Sequence, residues 1–321
     1  MAHLAEDAAT VLAPEIARKN YIEENYNTLE AAQTYQTSFL SLRDQYLTTP
    51  QIVSVETFAK CDAKCDFCPY VNIERINQRM PDELIAKIIS DLGDLDRNVP
   101  LFITPVRINE PFLDTRIYDI VKSMSRTAPH AQFIYFSNGS PLVEQVIDRI
   151  EELPRTFCLS LSLNDHRPAR YEEIMQIPYE RALRRFDAVH RRKAQGRLPF
   201  WTRVTKVADN TDDDDAFIAF VKDRWPLFDI AVYRRATWSG AVETVPSVVP
   251  AVGCHQWFTV GFYADGSDPF CVMDSDGKFR HGDIRTQHLL EIYNHPFRRH
   301  LRENVLDRRT VDYCRGCPLM S

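Results

Sequence analysis

Three thiols stand within eight residues of one another in Cys61-Asp-Ala-Lys-Cys65-Asp-Phe-Cys68-Pro69. Thiolates are soft donors that suit zinc and iron–sulfur clusters. Spaced C-x3-C-x2-C, they can reach three corners of one cubane and leave its fourth iron without a protein ligand. Ferredoxin-type clusters take four thiolates each, so an open iron is a place where something else binds. Zinc is the simpler alternative, but structural zinc takes four ligands, commonly as C-x2-4-C pairs. No histidine lies between His3 and His130 to complete such a set. An isolated redox site is a further alternative. The other five cysteines are Cys158, Cys254, Cys271, Cys314 and Cys317. Grouping of this kind in a long chain points to metal ligation rather than disulfides.

The elements that must position these thiols follow a regular alternation. Strand-like runs are expected at Ile52–Thr57, Leu101–Arg107, Gln132–Ser137, Arg155–Leu163, Phe200–Val207 and Asp229–Arg234. Helical patterns lie between them, at Pro81–Leu92, Leu113–Ser125, Leu142–Leu153, Tyr179–Ala194 and Asp214–Trp225. Strand–helix alternation at this pitch means βαβ units and a parallel sheet. Ligand chemistry collects at the carboxyl ends of such strands, and the cysteine loop follows the first one.

With that position, C-x3-C-x-aromatic-C after a first strand resembles the signature of the radical S-adenosylmethionine (SAM) enzymes, Phe67 standing at the aromatic position. The resemblance implies an α/β fold, a partial (β/α)6 barrel. It implies that Cys61, Cys65 and Cys68 hold a [4Fe–4S] cluster whose unique iron chelates the amino and carboxylate groups of SAM. In the family, reductive cleavage of SAM yields a 5′-deoxyadenosyl radical that takes a hydrogen atom from substrate. An external one-electron reductant such as flavodoxin or ferredoxin would be a partner. Glu110 in Arg107-Ile-Asn109-Glu110-Pro111 is similar to the acidic position of the family's glycine-glycine-glutamate-proline segment, although both glycines are replaced. Asn138, in Ser137-Asn138-Gly139, is similar to the threonine-asparagine-glycine turn after the third strand.

The fourth strand alternates from Phe157 to Leu163. Phe157, Leu159, Leu161 and Leu163 share one face and must pack under helices; Cys158, Ser160 and Ser162 share the other. That small polar face is expected to line the lumen. Relatives place a SAM-binding serine here, so Ser160 and Ser162 are candidates. On the fifth strand Arg203 lies with Trp201 and Thr205 and resembles the arginine that pairs with the SAM carboxylate, a bidentate task suited to guanidinium. Arg107, Asn109, Asp165, His166, Arg167 and Arg170 near strand ends are candidate contacts for a polar substrate. The acidic run Asp209–Asp215 is read as helix-dipole complement.

The C-terminal pattern is Cys254, a turn at Ala264-Asp265-Gly266, Cys271, a helix over Leu289–Glu303, then Cys314-Arg-Gly-Cys317. It resembles the twitch domain, the shortened form of the SPASM domain, so the chain is expected to hold two [4Fe–4S] clusters. Cys254, Cys271, Cys314 and Cys317 would ligate the auxiliary one completely, which favours electron transfer; zinc fits four cysteines too. His255 is read as a structural neighbour. The expected division is 1–50, an N-terminal helical extension; 51–245, the barrel; and 246–321, a small β-hairpin/helix auxiliary domain. In the extension, Ile16, Tyr21, Ile22, Tyr26, Leu29, Ala32 and Tyr35 recur at helical spacing, and one or two helices forming a lid over a barrel end are expected.

Composition bounds the rest. The chain has 321 residues, 44% hydrophobic and 26% charged, with a net charge of −6, enough for one large α/β domain or two smaller ones. No Lys/Arg-rich block argues for nucleic acid. No run approaches the ~18 apolar residues of a membrane span. The start lacks a basic segment followed by an apolar one, and a cytoplasmic location is expected. The resemblance to aminocyclitol dehydrogenases implies oxidation of a secondary alcohol, on an aminocyclitol, sugar or nucleoside-like intermediate of specialised metabolism. The resemblance to aminoglycoside and peptide epimerases implies instead a thiol hydrogen donor, and Cys158 is the cysteine outside both ligand sets. Outside catalysis, an iron–sulfur or zinc regulatory protein remains an alternative.

Overall fold

The computed structural model describes residues 21–22, 29–244 and 249–317; Ile16 and Tyr26 lie outside them. Strands are β1 (Tyr21–Ile22), β2 (Ile52–Val55), β3 (Phe102–Thr104), β4 (Gln132–Ser137), β5 (Thr156–Ser162), β6 (Trp201–Val207), β7 (Asp229–Tyr233), β8 (Thr259–Phe262), β9 (Ser267–Pro269) and β10 (Arg280–Asp283). Helices are α1 (Leu29–Tyr46), α2 (Asp82–Leu92), α3 (Ile117–Thr127), α4 (Glu144–Glu151), α5 (Pro168–Met175), α6 (Tyr179–Ala194), α7 (Asp213–Arg224), α8 (Leu289–Tyr293) and α9 (Pro296–Asn304).

Strands β2 to β7 are neighbours in chain order within one sheet, ordered β1-β7-β6-β5-β4-β3-β2-β8. All seven pairings are parallel. This is the six-unit α/β arrangement expected, because a crossover helix returns each strand beside its predecessor. Helix-facing side chains, among them Val53, Ile103, Phe133, Leu159, Leu161, Val204 and Ile230, join one buried core. The opposite faces of the strands are left for polar groups. Helix α5 was not anticipated; Pro168 at its first turn and Gln176 at φ 54° as its C-cap are the local signals that delimit it.

Three expectations are corrected. The turn at Ala264–Gly266 forms, with Tyr263 N–H donating to Ser267 O at 2.9 Å, but its arms join different sheets. Strand β8 pairs with β2, and β9 pairs with β10. The open edge of β2 offers unpaired backbone groups that a buried strand satisfies. The single helix expected over Leu289–Glu303 is two. Pro296 opens the second, whose first N–H groups are capped by His295 accepting from Phe297 N, because proline ends a helix more readily than it continues one. Finally, α1 is no lid over the barrel. Its Phe39, Leu42 and Tyr46 pack with Cys254, Trp257, Phe258, Phe270, Leu301, Val311 and Cys314, so the extension belongs to the C-terminal part. A two-residue strand, β1, also stands where no strand was expected.

Candidate active site

The first cysteine loop leaves the carboxyl end of β2 and is stapled to α5: Lys64 N–H donates to Met175 O at 3.2 Å and Asp66 N–H to Ile174 O at 3.3 Å. Cys65 Sγ lies 3.5 Å from Met175 Sδ, and Cys68 N–H closes a turn on Cys65 O at 3.0 Å. Phe67 packs against the core, and its carbonyl accepts from Trp238 Nε1 at 3.0 Å. Burial pushes the Cys61 thiol up to about 12, helped by Glu110, and the Cys68 thiol up to about 11. Burial, then Cys68 and Cys61, raises Cys65. Three soft donors that disfavour one another's ionisation suit a soft cationic centre, whose arrival must displace their protons. A cavity of about 410 Å³ adjoins Cys65 and Cys68 and is lined also by Gln176, Arg235 and Glu243.

Asn138 stands over this loop. Its Nδ2 donates to Asp62 Oδ1 at 2.9 Å and approaches Cys61 Sγ at 3.6 Å. Gly139 beside it has φ +80°, and a Cβ there would lie 2.2 Å from the Phe186 ring, so the turn requires glycine. Glu110 is fully buried and spends its carboxylate on the protein. Asn138 N–H donates to Oε2 at 2.7 Å, Ser137 Oγ to Oε1 at 3.0 Å and Phe112 N–H to Oε1 at 3.4 Å. Burial raises its pKa to about 8. Glu110 therefore organises the Asn138 turn through these three contacts.

Residues Cys158, Ser160 and Ser162 face Trp201, Arg203 and Thr205 in register. Arg203 Nε donates to Ser160 Oγ at 3.0 Å. Its guanidinium lies 4.9 Å from the Trp201 ring, 5.6 Å from Tyr233 and 5.8 Å from Phe136, and Trp201 Nε1 donates to Asp229. Ser162 Oγ is 3.5 Å from Thr205 Oγ1. Cys158 is fully buried, one pleat further from the strand's carboxyl end than Ser160. Burial pushes its thiol up to about 12.

The remaining polar candidates scatter. Asp165 is buried and pairs with Arg167 at 2.7 Å; Arg167 also reaches Asp213 at 2.5 Å. Lys206, equally buried, pairs with Asp209 at 2.6 Å and Asp214 at 3.4 Å. His166 packs on Phe217 and Phe220, and Arg170 pairs with Glu173 at 2.8 Å. Apart from Arg170, whose partner lies in its own helix, these residues fasten α7 to the sheet. The acidic run thus neutralises Lys206 and Arg167, and Asp214 accepts from Asp209 and Asn210 N–H, which the dipole reading missed. Arg107 points towards the C-terminal part, and Asn109 accepts from Arg107 N–H at 2.8 Å.

That part gathers the second cysteine set. Burial, then Cys254, raises Cys271 and pushes Cys314 up to about 12. Cys317 N–H closes a turn on Cys314 O at 3.0 Å. His255 stacks on Tyr35 of α1 at 3.8 Å. Among the described residues no three His, Cys, Asp or Glu side chains converge as around a single ion. The two parts meet at a seam that sequence reading missed. Glu56, just past β2, pairs with Arg75 at 2.5 Å and accepts from Ala264 N–H at 3.3 Å. Arg75 stacks 3.5 Å over Tyr263 and donates to Ser275 O. A glutamate breaking an apolar strand's run at its carboxyl end was the available signal.

Residues 254–318 match the SPASM family, an iron–sulfur cluster-binding domain. The match is confined to this C-terminal segment. All four distal cysteines fall inside it. The whole fold is shared with solved structures at low identity. BtrN in complex with AdoMet and 2-DOIA is 16% identical, with 84% of this chain and 93% of that one covered and a TM-score of 0.57. SuiB from Streptococcus suis bound to its precursor peptide SuiA is 14% identical, covering 93% and 76%, at 0.63. The anSMEcpe protein with bound AdoMet is 12% identical, covering 84% and 85%, at 0.60. No curated protein matches by sequence. Among the described residues no helix is long and apolar enough to cross a membrane.

Proposed function

We propose that this protein is a radical SAM enzyme that oxidises a secondary alcohol of a polar small molecule. What carries the reading is the pairing of a three-thiol loop at the mouth of a parallel sheet with a four-thiol SPASM domain. Cys61, Cys65 and Cys68 would hold one [4Fe–4S] cluster and Cys254, Cys271, Cys314 and Cys317 the other. When bound, the first cluster and SAM supply a 5′-deoxyadenosyl radical for hydrogen abstraction, and the second supplies a one-electron acceptor. Asn138 orients the loop through Asp62 and Cys61. Arg203, held on Ser160 and walled by Trp201, Tyr233 and Phe136, is the cation available to a carboxylate in the lumen. Ser162 and Phe67 complete the set offered to SAM. Flavodoxin or ferredoxin would deliver electrons. The neighbours that bind 2-DOIA and a precursor peptide support small-molecule and peptide substrates respectively; the polar face of Ser160, Ser162 and Arg203 supports a polar small molecule.

The second reading is epimerisation with Cys158 as hydrogen donor, favoured by its lumen-side register. Its full burial below the Arg203–Ser160 pair puts it behind oxidation. Iron and sulfide per chain after anaerobic reconstitution test the cofactor reading. Two cubanes give ~8 iron in wild type and ~4 in a Cys61/Cys65/Cys68→Ala triple variant. A zinc-loaded, iron-free protein, or one that forms no 5′-deoxyadenosine from SAM under reductant, would sink the proposal. Cys158→Ala separates the outcomes: oxidation survives it and epimerisation does not.

A further inference from the structure

Arg107 leaves the end of β3 and lies across the junction of β2 and β8. Gly261 on β8 faces Ser54 on β2 in register. A methyl group at Gly261 would stand 2.4 Å from Arg107 Nη1 and 3.3 Å from Ser54 Cβ. The guanidinium therefore occupies the space a side chain at 261 would fill. From there Nη2 reaches the carbonyl of Cys271 at 3.4 Å, and Cζ lies 5.1 Å from the Tyr263 ring. Asp268, the buried carboxylate of the same wall, pairs with Arg298 at 2.5 Å and feels the Arg107 charge as a smaller second influence. A cation is thus seated between the sheet's polar face and one member of the four-thiol set, in a place that needs glycine opposite.

We propose that Arg107 sets the reduction potential of the auxiliary cluster, its guanidinium held against the Cys271 carbonyl by the lack of a side chain at Gly261. This rests on the reading that Cys254, Cys271, Cys314 and Cys317 hold that cluster. One added electron makes a thiolate-ligated cluster more negative. Cluster potentials respond to net charge and to hydrogen bonding around the ligands, and a fixed cation in a poorly screened interior favours the added electron. Arg107 makes the auxiliary cluster a better electron acceptor without touching substrate; it is a positioning residue.

The test is a redox titration of the reconstituted full-length protein followed by electron paramagnetic resonance, the auxiliary signal being assigned with the Cys61/Cys65/Cys68→Ala variant. Arg107→Gln is expected to move the auxiliary midpoint to more negative potential and leave the first cluster's midpoint in place. Gly261→Ala keeps the arginine but displaces it, and is expected to move the midpoint the same way. Arg107→Lys should recover part of the shift. If Arg107→Gln fails to retain its second cluster, Gly261→Ala carries the measurement. An auxiliary midpoint unchanged at full iron content overturns the proposal, as does an equal shift at both clusters. Those results leave the proposed oxidation standing. Wild-type protein with only ~4 iron refutes the second cluster, and both readings with it.

Discussion

Glu110, in the loop after β3, and Arg203, on β6, do different work. Three donors converge on the Glu110 carboxyl, and those contacts fix the Asn138 turn that overhangs Cys61. Glu110→Ala strands buried N–H and O–H groups, each costing about 1–3 kcal/mol, and adds a cavity. A loss of roughly 3 kcal/mol in denaturant unfolding is expected, with iron retention at the first loop falling too. Unfolding at the wild-type midpoint would show that the carboxyl carries no such network. Arg203 is half-buried among aromatic rings and bonded through Nε to a serine, so its remaining N–H groups can serve a ligand. Arg203→Lys is expected to weaken SAM binding about tenfold or more, since an ammonium cannot reproduce a bidentate fork worth more than ~1.4 kcal/mol over a point contact. Equal affinity by equilibrium binding would remove Arg203 from the SAM site.

At the scale of elements, helix α1 and the α9–β10 contact carry the clearest consequences. Phe39 is fully buried against Trp257 and Phe258, and a Cβ on Gly253 would lie 2.6 Å from its ring. Phe39→Ala should cost about 3–5 kcal/mol and loosen the segment that carries Cys254. The expected result is lost auxiliary iron with the first cluster retained; loss from the first cluster alone would put α1 back over the barrel. His281 of β10 stacks on Phe297 of α9 at 5.0 Å, and burial lowers its pKa to about 4. The unfolded chain takes up that proton near 6.5 while the folded one resists until about 4. Stability therefore falls as pH drops through this window. His281→Phe should flatten that part of the melting-temperature profile, and an unaltered profile would exclude His281 as its source.

For the whole molecule, the seam decides how the two cysteine sets are held. Glu56 and Arg75 are nearly inaccessible and tie β2, the segment after the first cysteine loop, and the Tyr263–Ser275 region together. Removing one member of a buried pair strands the other, at about 3–5 kcal/mol. Arg75→Ala is expected to lower stability by that amount and to leave the halves unfolding in separate steps. A single cooperative transition at the wild-type midpoint would show that the seam is not the coupling element.

The sequence by itself determined the alternation of strands and helices, because strand periodicity and helix periodicity are local properties of consecutive side chains. It also determined the two thiol sets and the polar face of β5, since spacing places Cys158, Ser160 and Ser162 on one side whatever surrounds them. Tertiary structure decided what those faces meet. An amphipathic pattern in α1 says that one face is buried, not that its partner is the Cys254 region. A turn at Gly266 does not say that its arms pair with different strands, because the free edge of β2 competes for β8 from far away in sequence. Glu110 and Asp165 stand out in the chain as lone acids near strand ends; their depth and their partners came only with the fold. Burial and long-range pairing are properties of the assembled molecule, and no local pattern encodes them.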